Sequence, residues 1–416
     1  VKNVSNSKEL SKLIDKYLIP QELEKKKNAE VSTPYQLRKD MLDKMPEEFW
    51  REENTVFEPC CGKGGFLIDI IDRFMNGLKD KIKDKKERYK TIVEELLYWS
   101  DINPTNIFIC KLLLDPYGEY ELKYNEGDTL KLDTKKKWGI KKFDAVIGNP
   151  PYQVKVGQRK TQPIWDRFVT HAIKKAKKGG LIVYVHPSGW RSPEGIFKHV
   201  FEEIIKRTLV YLNMNDYKQG LNTFGVGTCY DYYVLKNEER IDKYKTHIVD
   251  IDNNVNDVDL SEWQFIPSGM FDEFKKIISF NNNVEVLYSR TEYGTDKKNV
   301  NINKNIEYKY PCCYTITQKN GMKKYYSNIK KGHFGIPKVI WSNGAGTYPI
   351  IDSNGKYGLT QFSYAIIDDV NKLEYIKNAM ETEKFINLMK YVRYTDHKYN
   401  YKIIGLFKKD FYKEFI

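Results

Sequence analysis

Apolar residues follow two rhythms along this chain. Thr55-Val56-Phe57, Leu97-Tyr98-Trp99, Phe143-Asp144-Ala145-Val146-Ile147 and Gly180-Leu181-Ile182-Val183-Tyr184-Val185 are short, nearly unbroken apolar runs. They lack the alternation of a half-exposed strand and predict strands buried on both faces. Between them the helical period prevails. Leu67, Ile70, Ile71 and Phe74 share one helical face, as do Ile164, Phe168, Ala172 and Ala176 on a helix that Gly179-Gly180 is expected to stop. Leu37, Met41, Leu42 and Met45 follow Ser32-Thr33-Pro34, where a polar residue before proline suits a helix start. Strands alternating with helices predict an α/β domain with a parallel sheet, whose ligands bind at the carboxyl ends of the strands. Tyr120 to Tyr124 reads as a further short run, and the mixed charges from Lys79 to Lys90 as a solvated helical insertion.

After Leu235 the periodicity weakens, and Lys236-Asn237-Glu238-Glu239-Arg240 reads as a polar connector. The expected organisation is an N-terminal helical extension over 1–30, a first domain over 31–238 and a second, mixed α+β domain over 239–416. In the second, Gly335 to Trp341 and Gly355 to Thr360 read as strands and turns, and Leu373 to Phe415 as mostly helical. No internal repeat is visible. A length of 416 residues agrees with two domains.

Composition adds a partner class. The formal charge is +13, which points to a polyanion, although a Lys- and Asn-rich composition set by genome bias gives the same excess. Between Asn301 and Ile350 eight lysines face the single acid Glu307 and are interleaved with Tyr308, Tyr310, Tyr314, Tyr325, Tyr326, Phe334, Trp341 and Tyr348. That mixture suits phosphates and bases, and equally a solvated surface over an aromatic core. The six cysteines include the adjacent pairs Cys60-Cys61 and Cys312-Cys313 and no CxxC spacing, which fits a reducing compartment. The histidines form no spaced cluster, so no metal is expected. No apolar run reaches the roughly 18 residues of a membrane span, and Val1 to Leu10 is polar, so a cytoplasmic protein without a membrane partner is expected.

The candidate chemistry lies in the first domain. Glu58-Pro59-Cys60-Cys61-Gly62-Lys63-Gly64-Gly65 joins a strand to a helix, where glycines let a ligand approach the backbone. It lacks the Lys-Ser/Thr ending of a phosphate-binding loop, and its acid suits a cationic amino group. Lys63 is expected to point outward, away from such a cation. Asp101 follows the second strand, where an acid grips ribose hydroxyls, and Asp128 in Gly127-Asp128-Thr129-Leu130 fits both a turn and an acceptor for an adenine amino group. Asn149-Pro150-Pro151-Tyr152 ends the next strand. Its prolines hold an extended path, the Asn oxygen and the Pro150 carbonyl offer acceptors to an NH2 group, and Tyr152 offers a face for a stacked base.

In this order the motifs resemble the gamma class of amino-group DNA methyltransferases, restriction-modification enzymes with the same tetrapeptide, over roughly Ser32 to Leu235. The resemblance implies a Rossmann-like S-adenosylmethionine-dependent methyltransferase sheet followed by a target-recognition domain. It implies cofactor contacts from Thr33, Glu58, Pro59, Cys60, Gly62, Gly64, Asp101, Ile102, Asp128 and Asn149. Asn149, Pro150 and Tyr152 become the catalytic group, and Phe224, in Phe224-Gly225-Val226-Gly227-Thr228, packs against the flipped base. The implied reaction is methyl transfer to adenine N6 in double-stranded DNA. A glutamine N5-methyltransferase acting on protein and an RNA adenine N6-methyltransferase share the motif set, but the former carry their extra domain before the catalytic one, whereas here the extra mass follows and is basic. A non-catalytic DNA-binding module is disfavoured by the intact tetrapeptide. The few residues ahead of Thr33 leave no room for a fused nuclease, and a separate cognate restriction endonuclease remains an expected partner.

Overall fold

The computed structural model describes residues 7–18, 31–156, 160–192, 195–288, 290–342, 348–394 and 401–416. They form two compact units, Val1–Trp190 with Gly195–Trp263, and Arg191–Glu194 with Gln264–Ile416. The first extends past the boundary expected at residue 239, for a reason visible in its sheet.

Its strands are β1 (Val56–Glu58), β2 (Leu97–Asp101), β3 (Lys123–Glu126), β4 (Phe143–Gly148), β5 (Gln153–Val156), β6 (Lys160–Pro163), β7 (Ala176–Pro187), β8 (Arg207–Asn215), β9 (Tyr230–Glu239), β10 (Lys245–Val249) and β11 (Val255–Asp259). All but β5 and β6 join one nine-stranded sheet in the order β11-β10-β8-β9-β7-β4-β1-β2-β3. The run from β3 to β7 is parallel, and β9 enters antiparallel between β7 and β8. β10 pairs parallel with β8, and β11 closes the edge. The residues after the polar connector therefore complete this sheet, and their weak periodicity reflects an edge hairpin with exposed alternate positions. The fold is an α/β architecture with a mostly parallel central sheet.

The apolar runs became central strands because both of their faces are covered: β1 and β2 are buried throughout. Helices α1 (Ser7–Tyr17), α2 (Tyr35–Leu42), α3 (Gly65–Gly77), α4 (Pro104–Leu114) and α5 (Trp165–Lys175) accompany this half of the sheet. The N-terminal helix is observed over Ser7–Tyr17, and the remainder of the extension expected up to residue 30 lies largely outside the described residues. The charge run contributes a short helix, Lys85–Thr91, with no buried residue. Gly179-Gly180 does not stop a helix. α5 ends at Lys175, and the glycines lie inside β7, Gly179 at φ 75° and Gly180 where a Cβ would come 2.9 Å from the Asp144 carbonyl oxygen. The pairing of β7 with β4 shifts register at this point, so the glycines serve a bulge.

The second unit is mixed α+β. One antiparallel sheet runs Glu285–Leu287, Ser363–Ile367, Lys338–Ser342, Ile350–Asp352, and a mixed sheet runs Val300–Asn301, Gly321–Ser327, Tyr310–Thr317, Gly358–Leu359, its last pair parallel. Cys313, Ile316, Ile340, Leu359 and Ala365 form a shared core, and helices Leu373–Glu381 and Glu383–Leu388 follow. Among the described residues no helix is long and apolar enough to cross a membrane.

Gly77 tests the packing of the first unit. A Cβ there would fall 2.1 Å from the Trp50 carbonyl oxygen. In an open helix Gly→Ala stabilises by up to ~1 kcal/mol, but overpacking costs about 1–3 kcal/mol, so the clash wins. Gly77→Ala is expected to lower the urea midpoint at unchanged slope; a midpoint at or above that of the parent would show the contact to be wrong.

Candidate active site

The order of the strands reverses at β1, with β2 on one side and β4 on the other, which opens a crevice beyond their carboxyl ends. Glu58 ends β1, Asp101 ends β2, Asp128 follows β3 and Asn149 follows β4. The loop after β1 turns tightly: the Gly64 N–H donates to the Cys61 carbonyl at 2.9 Å, and Gly62 and Gly64 sit at φ 51° and 85°, where a side chain is strained. Gly64 then caps α3.

Backbone donors hold the acids in place. The Asp101 carboxylate accepts from the N–H groups of Gly62 at 2.9 Å and Asn103 at 2.8 Å, joining the two loops. The Gly127 N–H donates to the Asp101 carbonyl at 2.9 Å, and the Thr129 hydroxyl to the Pro59 carbonyl at 2.7 Å. Asp128 caps the turn that follows it by accepting from Leu130 N–H at 3.0 Å, so the turn role and a place on the cavity wall are both realised.

A cavity of about 240 Å³ occupies the crevice. Pro59, Cys60, Gly62, Asp101, Ile102, Asp128, Asn149, Pro150 and Tyr152 all line it. A smaller one of about 50 Å³ lies across the loop, lined by Thr33, Glu58 and Lys63, and shares Val31, Cys60, Gly62 and Asn149 with the first. Gly64 shapes the loop without lining either. One expectation changes: Lys63 is half-buried on the smaller cavity wall instead of pointing outward. Phe224 packs edge-on against Tyr230 at 4.9 Å.

Glu58 Oε2 and Asn149 Oδ1 are buried at this site without a hydrogen-bond partner, as is Asn106 Oδ1 on the larger cavity. Burial, and secondarily the charge of Asp101, push the Glu58 carboxyl well above its ordinary range. The Asn149 amide is oriented by its other end. Its Nδ2 donates to Thr33 Oγ1 at 3.0 Å and to the Val31 carbonyl at 3.4 Å, and a carbonyl only accepts, so the oxygen must face the cavity. Cys60 Sγ contacts the Asn149 carbonyl at 3.4 Å, and burial raises the thiols of Cys60 and Cys61, which makes both poor nucleophiles. The Tyr152 hydroxyl is likewise buried and unpartnered.

Sequence reasoning missed Val31, Asn106, Thr129, Ile164 and Phe168 on the larger cavity. Thr129 was adjacent to a predicted acid, and Phe168 was assigned to a helix face that also borders the crevice; Val31 carries no sequence signal. It also missed Arg38. This guanidinium is 1% exposed and donates from Nε to Asp69 at 2.6 Å, from Nη1 to Asp15 at 2.8 Å, and also to Ser11 and the Thr33 carbonyl. Burial opposes its charge, but Asp69 and Asp15 outweigh that and hold it above the ordinary arginine value. It lies flat on Gly65, where a Cβ would come 2.7 Å from Cζ.

A family model described as N-6 DNA Methylase matches residues 16–261, more than half of the chain and nearly coextensive with the first unit. An adenine-specific methylase of Mycoplasma pneumoniae, described as uncharacterized, is 26% identical over 141 residues, 32% of this chain and 33% of its own length. Among solved structures, the ATP-dependent Type ISP restriction-modification enzyme LlaBIII bound to DNA is similar with a TM-score of 0.52 at 12% identity, covering 88% of this chain and 35% of that one. The Type IIL restriction-modification enzyme MmeI in complex with DNA gives 0.51 at 10% identity, covering 89% and 64%. At such identities these likenesses establish the fold. The chain spans about a third of the length of its curated relative.

The Arg38 network has a measurable consequence. Arg38→Met would leave Asp69 and Asp15 facing each other without a cation, and breaking a buried pair by removing one partner costs about 3–5 kcal/mol. Chemical unfolding should show a loss of that order; a change below ~1 kcal/mol, the size of an exposed pair, would show that the network does not pin the N-terminal segment.

Proposed function

The chain belongs to the N-6 DNA methylase family, and from that premise we propose that it is a site-specific DNA adenine N6-methyltransferase that uses S-adenosylmethionine in a restriction-modification setting. The observation that carries this reading is Asn149 Oδ1, a buried acceptor left unpartnered while the rest of its amide is anchored.

The residues suit the cofactor. Glu58 supplies a buried carboxylate for the methionine ammonium, Lys63 a cation on the same cavity wall for its carboxylate, and Gly62 a backbone without a side chain between the two cavities. Asp101 keeps lone pairs for ribose hydroxyls, and Ile102, Asp128 and Phe168 offer an apolar and polar wall to the adenine. Bound there, the cofactor supplies an electrophilic methyl group on a sulfonium. Asn149 Oδ1 and the Pro150 carbonyl then accept the N–H bonds of the target amino group. This would draw its nitrogen towards tetrahedral geometry and free the lone pair to attack the methyl carbon in line, the sulfur–methyl bond breaking with its electron pair left on sulfur and one amino proton passing to solvent. No covalent enzyme intermediate is required, in keeping with the raised thiols of Cys60 and Cys61.

Adenine in duplex DNA as the substrate rests on further support. The relatives named above include two enzymes bound to DNA. The second unit carries exposed lysines over aromatic rings, Lys323 at 5.2 Å from Tyr314 and Lys324 at 5.6 Å from Tyr357, and Tyr314 stacks on Tyr325 at 4.4 Å. Such pairs suit phosphates and bases and support assigning this unit to target recognition. Lys338 is withdrawn from that surface, being fully buried and paired with Asp352 at 2.8 Å. A cognate endonuclease as partner follows from the restriction-modification setting alone.

Incubation with methyl-labelled cofactor and unmethylated duplex DNA, followed by analysis of modified bases, is expected to show N6-methyladenine; label found only in RNA or protein would overturn the reading. Asn149→Ala should lower turnover by about 10²–10³-fold, the loss seen when one preorganised transition-state partner is removed, with cofactor affinity retained. Turnover unchanged in that variant would remove Asn149 from the mechanism.

Cofactor affinity should also depend on pH through Glu58. Its folded pKa lies above the ordinary 4.5, so this carboxyl contributes stability to the ligand-free fold at and below that pH and loses it as pH rises through the raised value. Pairing with an ammonium needs the ionised form, so affinity should climb over the same window with release of a proton. Calorimetry in buffers of different ionisation enthalpy measures that release; Glu58→Gln should bind weakly with no such dependence, and a parent protein that releases no proton would contradict the pairing.

A further inference from the structure

β5 and β6 form an antiparallel hairpin between the catalytic tetrapeptide and α5. Its base is closed on the tetrapeptide itself, where the Ile164 N–H donates to the Tyr152 carbonyl at 3.2 Å. The pairing places Val154 opposite Gln162 and Lys155 opposite Thr161, so Val154 and Gln162 share one face and Lys155 and Thr161 the other. Both faces are exposed: every residue of β5 is, Val154 at 41% and Val156 at 44%, and so are Thr161 and Gln162. An isolated two-stranded hairpin is at best marginally stable in water, and exposed valines gain nothing there. The ribbon nevertheless starts at the mouth of the larger cavity, whose wall includes Gln153 and Val154.

We infer that this hairpin is a nucleic-acid-binding ribbon that grips the duplex beside the extruded adenine. The inference rests on the functional reading above. Charge selects the occupant, because Lys155 stands exposed on the ribbon and no acid occurs from Gln153 to Pro163. Shape agrees, since a two-stranded ribbon fits the major groove of DNA. Position agrees as well: a base entering the cavity past Gln153 and Val154 leaves its neighbours stacked at the ribbon. Lys155 supplies a phosphate contact, Gln162 a side-chain amide for base edges, and the valines an apolar surface against the sugars and the exposed base faces.

The test uses Lys155→Gln and Gln162→Ala in the full chain, with Lys155→Arg as the charge-conserving control. DNA affinity is measured against salt concentration, alongside cofactor affinity and methylation kinetics. Lys155→Gln is expected to raise KM for DNA and to flatten the plot of log affinity against log salt by about 0.9, the contribution of one phosphate contact to duplex DNA. Lys155→Arg should restore the slope, and Gln162→Ala should alter the ranking of DNA sequences as substrates, with cofactor affinity equal to the parent in all three. If the parent methylates adenine in DNA while Lys155→Gln keeps its slope and KM, the ribbon does not bind DNA and the enzymatic reading stands. If the parent methylates no DNA, the enzymatic reading fails and the ribbon proposal falls with it.

Discussion

The buried guanidinium of Arg38 is the contact on which the arrangement of the crevice depends. It binds side chains from α1 and α3 and the carbonyl of Thr33, three segments that sequence distance keeps apart. A charge that deep is tolerated because each face of the guanidinium fork meets a carboxylate, hydroxyl or carbonyl. Its flat seat on Gly65 explains why the second glycine of the Gly64-Gly65 pair carries no side chain. By holding Thr33 in place it also holds the hydroxyl that orients Asn149. The N-terminal segment is thus part of the crevice wall, and stability and chemistry meet in one network.

Beyond that anchor, the crevice is built from strand ends. Parallel strands deliver their carboxyl termini to one edge, and each delivers one polar group: Glu58, Asp101, Asp128, Asn149. Asp101 and Asp128 are tied down by neighbouring N–H groups, which keeps the loops in register. Glu58 Oε2 and Asn149 Oδ1 are different, because burying an acceptor without a donor costs about 1–3 kcal/mol and the ligand-free protein bears that cost at both. An unsatisfied acceptor on a cavity wall is one that a bound donor can complete. The two lie on walls flanking the loop of Cys60 and Gly62.

The positive charge of the chain is unevenly used. Arg38 and Lys338 are buried and neutralised internally. Others remain on aromatic or ribbon surfaces, such as Lys323 over Tyr314 in the second unit and Lys155 on the hairpin of the first. Net charge therefore overstates what is available to a polyanion, and the exposed subset is what matters for binding. That subset includes Lys155, which closely follows the tetrapeptide in the chain.

Sequence alone determined the parallel sheet, the glycine-rich loop after its first strand and the tetrapeptide at a strand end, because each is a local property. Unbroken apolar runs report burial on two faces, Gly62 and Gly64 report backbone conformations with positive φ, and two consecutive prolines report an extended path. Local pattern failed where the deciding partner was distant. Gly179-Gly180 looked like a helix stop, yet long-range pairing with β4 drew the chain into strand first. Lys245–Val249 looked like the start of another domain until the free edge of β8 recruited it. Only the tertiary structure decided which way the Asn149 amide faces, since its partners Val31 and Thr33 lie 118 and 116 residues away. The same holds for Arg38, whose carboxylate Asp69 is 31 residues off, and for Lys338, removed from the surface by Asp352. Hydrogen bonds and ion pairs between remote residues leave no periodicity in a sequence, and those bonds gather a recognisable set of motifs around the two adjoining cavities of one crevice.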